Sequence, residues 1–375
     1  MFKKIIFITT ILLLGVLSYL IKKDDGCITI NKNSCSDIML SETKHLSNNI
    51  TYITENGKSL KVSNKNILGL EKRELYTIEK SFKSTGDPVI DSILIEIRKK
   101  KREDREIENI FEFIFVTENA RKISLLEDKI EEIANLFIIN NIDKKIKIFI
   151  TDKTDKNHDL LKNKLIENGC KYEDYLINVR EPNKNYGAMV NYGACKEEYI
   201  IILDLWQYKD SRTDTPATII QTLLDEYFTI MQFYNDLNDE YNDNRWFYEG
   251  SQQVPLYYYS LMDNVRFNDY QIKECRNVRI IDFERKDFVS GKEVSCEHFI
   301  GLLTSKLIIA NVGLERFLRF FEDSQSNYEE KFLKYFNIEY DKLKEKVEIY
   351  HEFVKSNNKI IKQKDYMNLV GKLKF

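Results

Sequence analysis

The chain has 375 residues, enough for one large or two modest domains, and its 43% hydrophobic and 12% aromatic content indicates a substantial core. Charged residues make up 31% of the sequence but nearly cancel, leaving a net charge of −3. No strongly basic domain stands out, so no nucleic-acid partner is expected.

The N-terminus predicts export. Lys3 and Lys4 precede the segment Ile5–Ile21, which contains 17 apolar or small residues. The segment is longer than the ~7–15 apolar residues of a secretory signal peptide, and no Ala-x-Ala cleavage site follows it. Its length is at the short end of the ~17–25 residues that span a bilayer. We therefore expect residues 1–23 to be a signal anchor that tethers an extracytoplasmic chain to the inner or plasma membrane through residues 5–21. A cleaved signal peptide and a secreted product are the alternative.

Cysteine usage agrees with export. All six cysteines follow the apolar segment, and an even number in an exported chain predicts disulfides. Many pairings are possible, and the simplest joins neighbours along the chain. The candidate pairs are Cys27–Cys35, Cys170–Cys195 and Cys275–Cys296.

Composition divides the rest of the chain into three parts. Polar, turn-rich stretches predict a tether and small leading region over residues 24–108, in which DSILIEI (Asp91–Ile97) is predicted to be a strand. The main domain is predicted over residues 109–357, and a C-terminal tail over residues 358–375.

The main domain begins as an alternation of strands and helices. Short β-rich segments separated by helical patterns predict an α+β fold. Strands are expected at Ile110–Thr117, Lys145–Asp152 and Glu197–Leu205, and helices at Ala120–Ile138 and His158–Asn168.

A tandem repeat, NYGAMV followed by NYGACK, lies before the third strand at Asn185–Lys196. Asn and Gly favour turns, so we expect two tight turns pinned by Cys195, or alternatively a substrate-lining loop. After Trp206 the pattern becomes mostly helical, beginning with Thr215 as N-cap and Pro216 at the first helical position.

One helix of this second half carries polar residues at the spacing of a metal site. The stretch LLDEYFTIMQ places Asp225 and Thr229 four residues apart, on one face of a helix, where two side chains can approach one ion. In a His-Glu-x-x-His site, histidines at these positions bind zinc, and the glutamate after the first activates water. Here that glutamate is Glu226, and RWFYEG supplies Glu249 downstream.

These motifs resemble those of the gluzincin-type metallopeptidase domain called peptidase MA-like, which is distantly related to aminopeptidase N. In that group HEYFHxxQ is followed by RWxxEG, and here DEYFTIMQ is followed by RWFYEG. The strand–helix–strand lead-in and the tail stretch GLERFLRFF are also similar, so the resemblance covers roughly residues 109–357.

The resemblance implies a degenerate zinc site. Asp225 and Thr229 stand where the group has its histidines, Glu249 stands for the third ligand, and Glu226 retains the water-activating position. Catalytic zinc needs three good protein ligands, and a threonine hydroxyl is neutral and short. We therefore expect a catalytically degenerate pseudo-peptidase with a binding or structural role and an unknown protein or peptide partner. No cofactor is expected, and zinc only if the degenerate site still binds metal.

Two other interpretations stay open: an active hydrolase with a substituted metal site, and an unrelated extracytoplasmic interaction protein whose amphipathic helix has an ordinary solvated face. If the motif residues converge, their carboxylates should repel and raise at least one pKa unless a cation or Arg245 lies between them. His298 and His351 are interpreted as ordinary helix residues, with His351 at the surface.

Overall fold

The computed structural model divides the chain into two compact units, and each is described by itself. The smaller unit comprises residues 1–64 and 76–82, and the larger comprises residues 65–75 and 83–375. The residues that the structure describes are 49–53, 59–63, 68, 85–102, 109–138, 145–152, 157–171, 188–192, 195, 199–205, 216–233, 244–263, 275, 277–280, 291–324, 326–356 and 363–375.

In the smaller unit two strands pair with each other. Strand β1 (Asn49–Ile53) runs antiparallel to β2 (Ser59–Ser63), with Thr51 opposite Lys61 at the centre of the pair. The predicted membrane segment Ile5–Ile21 lies outside the described residues, within which no helix is long and apolar enough to cross a membrane.

The larger unit opens with a helix where the sequence predicted the strand Asp91–Ile97, so that prediction is wrong. Helix α1 spans Pro88–Arg102. The Asp87 carboxylate caps it by accepting hydrogen bonds from the backbone N–H groups of Val89 and Ile90, at 2.8 and 3.2 Å. Apolar residues then recur at helical intervals, which is the period that decides the conformation. The buried members of this series include Val89, Ile93 and Ile97.

A four-stranded sheet forms the core of the mixed half. It contains β3 (Phe111–Phe115), β4 (Ile146–Thr151), β5 (Ala188–Tyr192) and β6 (Tyr199–Asp204), in the spatial order β3-β4-β6-β5. Strands β3, β4 and β6 are parallel, and β5 runs antiparallel to β6. The two central strands are buried along most of their length, as parallel strands usually are. The three predicted strands and the α+β class are thus confirmed.

Strand β5 occupies the middle of the repeat Asn185–Lys196, and residues 185–187, 193, 194 and 196, on which the prediction of two tight turns depends, lie outside the described residues. Its residues pair in register with β6, with Met189 opposite Ile202 and Asn191 opposite Ile200. Pairing with β6, the next strand along the chain, therefore gives Ala188–Tyr192 an extended conformation that the repeat itself did not indicate. Among the described residues, β5 has a paired strand on one side only.

Helices cover this sheet. A 3-10 helix (Glu118–Leu126) leads into α2 (Glu127–Ala134) and a second 3-10 turn (Asn135–Phe137), and α3 (His158–Glu167) follows β4. The buried carboxylate of Glu131 accepts hydrogen bonds from two backbone N–H groups at the start of β3, both at 2.9 Å. This contact fixes α2 against the sheet.

The second half is helical, as predicted. A π-helical turn, Phe332–Phe336, directly follows the short helix Tyr328–Lys331. The helices are α4 (Pro216–Phe233), α5 (Arg245–Met262), α6 (Gly291–Val312), α7 (Leu314–Glu322), α8 (Tyr328–Lys331), α9 (Tyr340–Lys355) and α10 (Gln363–Leu373).

Aromatic packing holds α5 in place. Trp246, Phe247 and Tyr248, the aromatic residues of RWFYEG, are all buried. The Phe247 ring stacks on Phe321 and meets Phe320 edge-on, with centroid distances of 6.1 and 5.4 Å. The aromatic part of the motif therefore has a structural role, and it positions the glutamate that follows.

Helices α5 and α6 cross at two glycines. A Cβ atom added to Gly250 would overlap the Gly301 backbone, and one added to Gly301 would lie only 2.7 Å from Gly250 Cα. Any larger residue would separate the two helices at this point. The crossing therefore places residues near Gly250 on α5 beside residues near Gly301 on α6.

Two of the predicted disulfides are present. Cys170 is bonded to Cys195 and Cys275 to Cys296, across separations of 25 and 21 residues. Two disulfides are consistent with an oxidising, extracytoplasmic compartment. The third predicted pair, Cys27–Cys35, lies outside the described residues.

Reduction of these disulfides is expected to destabilise the larger unit. In the chain-entropy model each bond across a loop of this length contributes about 3 kcal/mol to the free energy of unfolding. Thermal unfolding with and without dithiothreitol should show a clear loss of stability. An unchanged melting temperature, with peptide mapping that finds all four of these thiols free before reduction, would contradict the prediction.

The larger unit extends beyond the predicted main domain at both ends. It includes α1, which the sequence analysis assigned to the leading region 24–108, and α10, which it assigned to the tail 358–375. The Tyr366 hydroxyl on α10 donates a hydrogen bond to the Asp91 carboxylate on α1, at 2.9 Å. Helices α1 and α10 are therefore in direct contact.

Candidate functional site

Polar side chains of α4, among them Asp225 and Gln232, contact α5. Gln232 is fully buried, and its amide nitrogen donates to the Tyr248 carbonyl oxygen at 3.1 Å and to the Ser251 hydroxyl at 2.5 Å. Its amide oxygen accepts a hydrogen bond from Gln252 at 3.0 Å. A solvated helix face would not bury these groups, so these polar side chains join two helices.

The two degenerate ligand positions lie one turn apart on this helix. Asp225 Oδ1 accepts a hydrogen bond of 2.7 Å from the Gln253 side chain on α5. Thr229 Oγ1 donates back to the Asp225 carbonyl oxygen at 3.1 Å, within its own helix. Both positions therefore have partners inside the protein.

Glu249 receives two cationic side chains. His298 Nε2, on α6, lies 3.1 Å from Glu249 Oε2, and Arg245 Nε lies 3.4 Å from Glu249 Oε1. The same Arg245 nitrogen lies 3.6 Å from Glu297 Oε2. The Glu249 side chain is only 14% exposed, so both contacts are partly shielded from water. Arg245 thus contacts Glu249 and Glu297, and none of its ion pairs among the described residues is with Asp225.

Electrostatics connect the three helices. Burial raises the pKa of Asp225 to about 7; the Glu249 charge adds to the rise, and His298 opposes it. Burial lowers the pKa of His298, but its hydrogen bond to Glu249 and the neighbouring carboxylates outweigh that effect, so the pKa is raised overall. Asp225, Glu249 and His298 therefore form one interacting group, the carboxylate–histidine cluster.

Zinc does not fit the residues present. The Thr229 hydroxyl is occupied by its own helix, one Asp225 oxygen by Gln253, and both Glu249 oxygens by His298 and Arg245. Within the part of the chain that the structure describes, no group of three or more His, Cys, Asp or Glu side chains has the arrangement of a metal site. Glu226, at the water-activating position, is half-buried on α4 next to Asp225.

His298 was missed by the sequence analysis as a site residue. No motif surrounds it, and its one local signal is the charged pair Glu297–His298 in an otherwise apolar stretch of α6. His351 was expected at the surface but is buried, with its ring 5.5 Å from that of Phe299. Burial lowers the pKa of His351 to about 4, so it is a neutral core residue at ordinary pH.

The sheet contributes an edge near this site. Strand β5 contacts α4, the helix that carries Asp225, and its second edge has no paired strand among the described residues. An unpaired edge presents backbone N–H and C=O groups to an extended chain. The helix that carries Asp225 therefore also contacts the outer strand of the sheet.

Comparison with known proteins leaves the family open. No protein-family model, curated protein or solved structure matches the chain. The resemblance to gluzincins therefore stays a hypothesis that depends on the motifs alone. The geometry adds that Asp225 on α4 and Glu249 on α5 interact across the interface between their helices.

Proposed function

We propose that the chain is an extracytoplasmic pseudo-peptidase of gluzincin descent that binds extended peptides without zinc-dependent hydrolysis. The observation that carries the proposal is the carboxylate–histidine cluster. Asp225 on α4 and Glu249 on α5 lie in the two motifs that resemble those of gluzincins. The oxygen atoms with which they would bind a metal instead contact the side chains of Gln253 and His298. In this proposal the chain keeps the peptide-binding role of such a fold and has lost its metal ligands.

Peptide binding is supported by β5. Extended peptides commonly add as a further strand to an exposed sheet edge, where backbone hydrogen bonds supply affinity. Strand β5 contacts α4 and is an outer strand of a sheet whose two central strands are largely buried. In this proposal the peptide pairs with β5, and the cluster, whose Asp225 lies on the helix that β5 contacts, contributes charge recognition in place of catalysis.

Location follows from the sequence and the disulfides. The bonds Cys170–Cys195 and Cys275–Cys296 suit an oxidising compartment. With Ile5–Ile21 as a signal anchor, the larger unit would be held at the outer face of the inner or plasma membrane. Peptides of the extracytoplasmic space are therefore the proposed partners.

The test is selection of random linear peptides on the immobilised full-length chain, followed by affinity measurement. Adjacent residues of an edge strand direct their N–H groups alternately toward the neighbouring strand and away from it. Of Met189→Pro and Val190→Pro, one should destabilise the sheet and the other should leave stability intact. The stable variant should bind the selected peptide roughly tenfold more weakly, the loss expected for one hydrogen bond.

Other outcomes favour the other interpretations. Stoichiometric zinc by mass spectrometry, together with cleavage of the selected peptides, would identify an active hydrolase with a substituted site. If no peptide is enriched, or if both proline variants bind as well as the parent, the chain does not recognise extended peptides at β5, and an interaction protein of another kind is favoured.

A further inference from the structure

We propose that His298, together with Arg245, occupies the place of the metal ion, and that it is a positioning residue which holds the Glu249 carboxylate toward Asp225. The comparison with a metal rests on the proposed gluzincin descent, but the charge compensation itself rests only on the contacts. An imidazole and a guanidinium from two helices here contact the carboxylate that a zinc ion would contact in a peptidase.

The charge balance around Glu249 requires such a partner. Three carboxylates from three helices, those of Asp225, Glu249 and Glu297, lie within interaction distance of His298. Arg245 contacts two of them, at 3.4 and 3.6 Å. Partly buried like charges disfavour one another unless a cation lies between them.

Two structural constraints hold His298 in this position. The crossing of Gly250 and Gly301 brings the backbones of α5 and α6 together one helical turn from His298, beside the residue that follows Glu249. Two residues before His298, Cys296 is bonded to Cys275. The contact of 3.1 Å between His298 and Glu249 is thus built into the helix packing.

The inference predicts that His298 and a metal ion exclude each other. Removing the imidazole frees the Glu249 oxygen that it contacts, close enough to Asp225 for the two carboxylates to interact, and carboxylate oxygens bind zinc. The His298→Ala variant should therefore gain zinc affinity. If His298 were instead a ligand of a bound metal, the same substitution would lose affinity, so the direction of the change decides.

The experiment is titration of the full-length chain with zinc chloride, followed by calorimetry and by thermal unfolding. We expect His298→Ala to melt lower than the parent without metal and to bind zinc on the order of tenfold more tightly, the lower end of the change that altering a metal's surroundings causes. Adding Glu249→Ala to it should abolish the gain. The control is His158→Ala, since His158 is an exposed histidine on α3.

A lysine at the same position separates charge from folding. His298→Lys keeps a cation but offers no imidazole, so it should melt closer to the parent than His298→Ala and show no gain in zinc affinity. If His298→Ala is unfolded without zinc, we expect it to refold when zinc is added. In that case, failure of His298→Lys to fold would overturn the inference. Equal or weaker zinc binding by a folded His298→Ala overturns it as well. The peptide selection that tests the proposed function uses the parent chain and no zinc titration. A failure of the proposed function is therefore distinguishable from a failure of this inference.

Discussion

Replacing Gly301 with alanine is expected to lower the free energy of unfolding by about 3 kcal/mol, at the upper end of the range for overpacked sites. The new Cβ atom would overlap the Trp246 carbonyl oxygen and lie 2.7 Å from Gly250 Cα. Both neighbours are backbone atoms inside helices, so neither can rotate away as a side chain would. Urea denaturation of the parent and the variant measures the loss.

The matched control is Gly371→Ala on α10. A Cβ atom there meets nothing within 4 Å, so the change should stabilise the protein by roughly 0.5–1 kcal/mol because alanine loses less backbone entropy in a helix. Opposite signs for the two substitutions are the expected result. Equal effects would mean that α5 and α6 do not approach closely at Gly301.

The close approach at Gly250 also explains why RWFYEG has its particular composition. Its aromatic residues are buried in the helical core, its glycine admits α6, and its glutamate is left facing the cluster. Fold requirements thus account for the aromatic and glycine positions. The two charged positions, Arg245 and Glu249, are the ones for which packing alone gives no reason.

Local periodicity was sufficient to predict the elements whose burial is regular. The strand predicted at Lys145–Asp152 and the helix predicted to begin at Pro216 each match the structure. The prediction for Asp91–Ile97 was wrong because a short apolar run is compatible with both periods, and the cap supplied by Asp87 was not used. Strand β5 was missed because its conformation depends on pairing with β6, which no local pattern reports.

The candidate site was predictable only within one helix pair. Asp225 and Thr229 share a face because they are four residues apart on one helix. Glu249 was predicted from the RWFYEG motif downstream. His298 was not predictable, because its contact with Glu249 depends on how α6 crosses α5, which is a long-range packing event. The spacing of the motifs therefore predicted that the carboxylates of Asp225 and Glu249 would lie near each other, but it did not predict that His298 would contact them.

Restoring two histidines tests the descent of the site directly. In the variant Asp225→His with Thr229→His, two imidazoles would project one turn apart from α4, and Glu249 on α5 would be the third ligand. Zinc affinity should rise by more than the roughly 10–100-fold that groups orienting a ligand provide. Either single substitution should raise affinity only weakly, because two good ligands must act together. Titration with zinc measures all three variants.

The control places Glu249→Ala in the double-histidine background, where most of the gained affinity should be lost. Zinc must also displace His298 from Glu249, so adding His298→Ala should strengthen binding further if the two compete for the same carboxylate. Hydrolysis is a less informative readout, since groups that stabilise the transition state are needed in addition to the metal. If the double variant binds no more zinc than the parent, or binds equally well without Glu249, positions 225, 229 and 249 do not converge on one point. The resemblance to gluzincins would then be a coincidence of two polar helix faces.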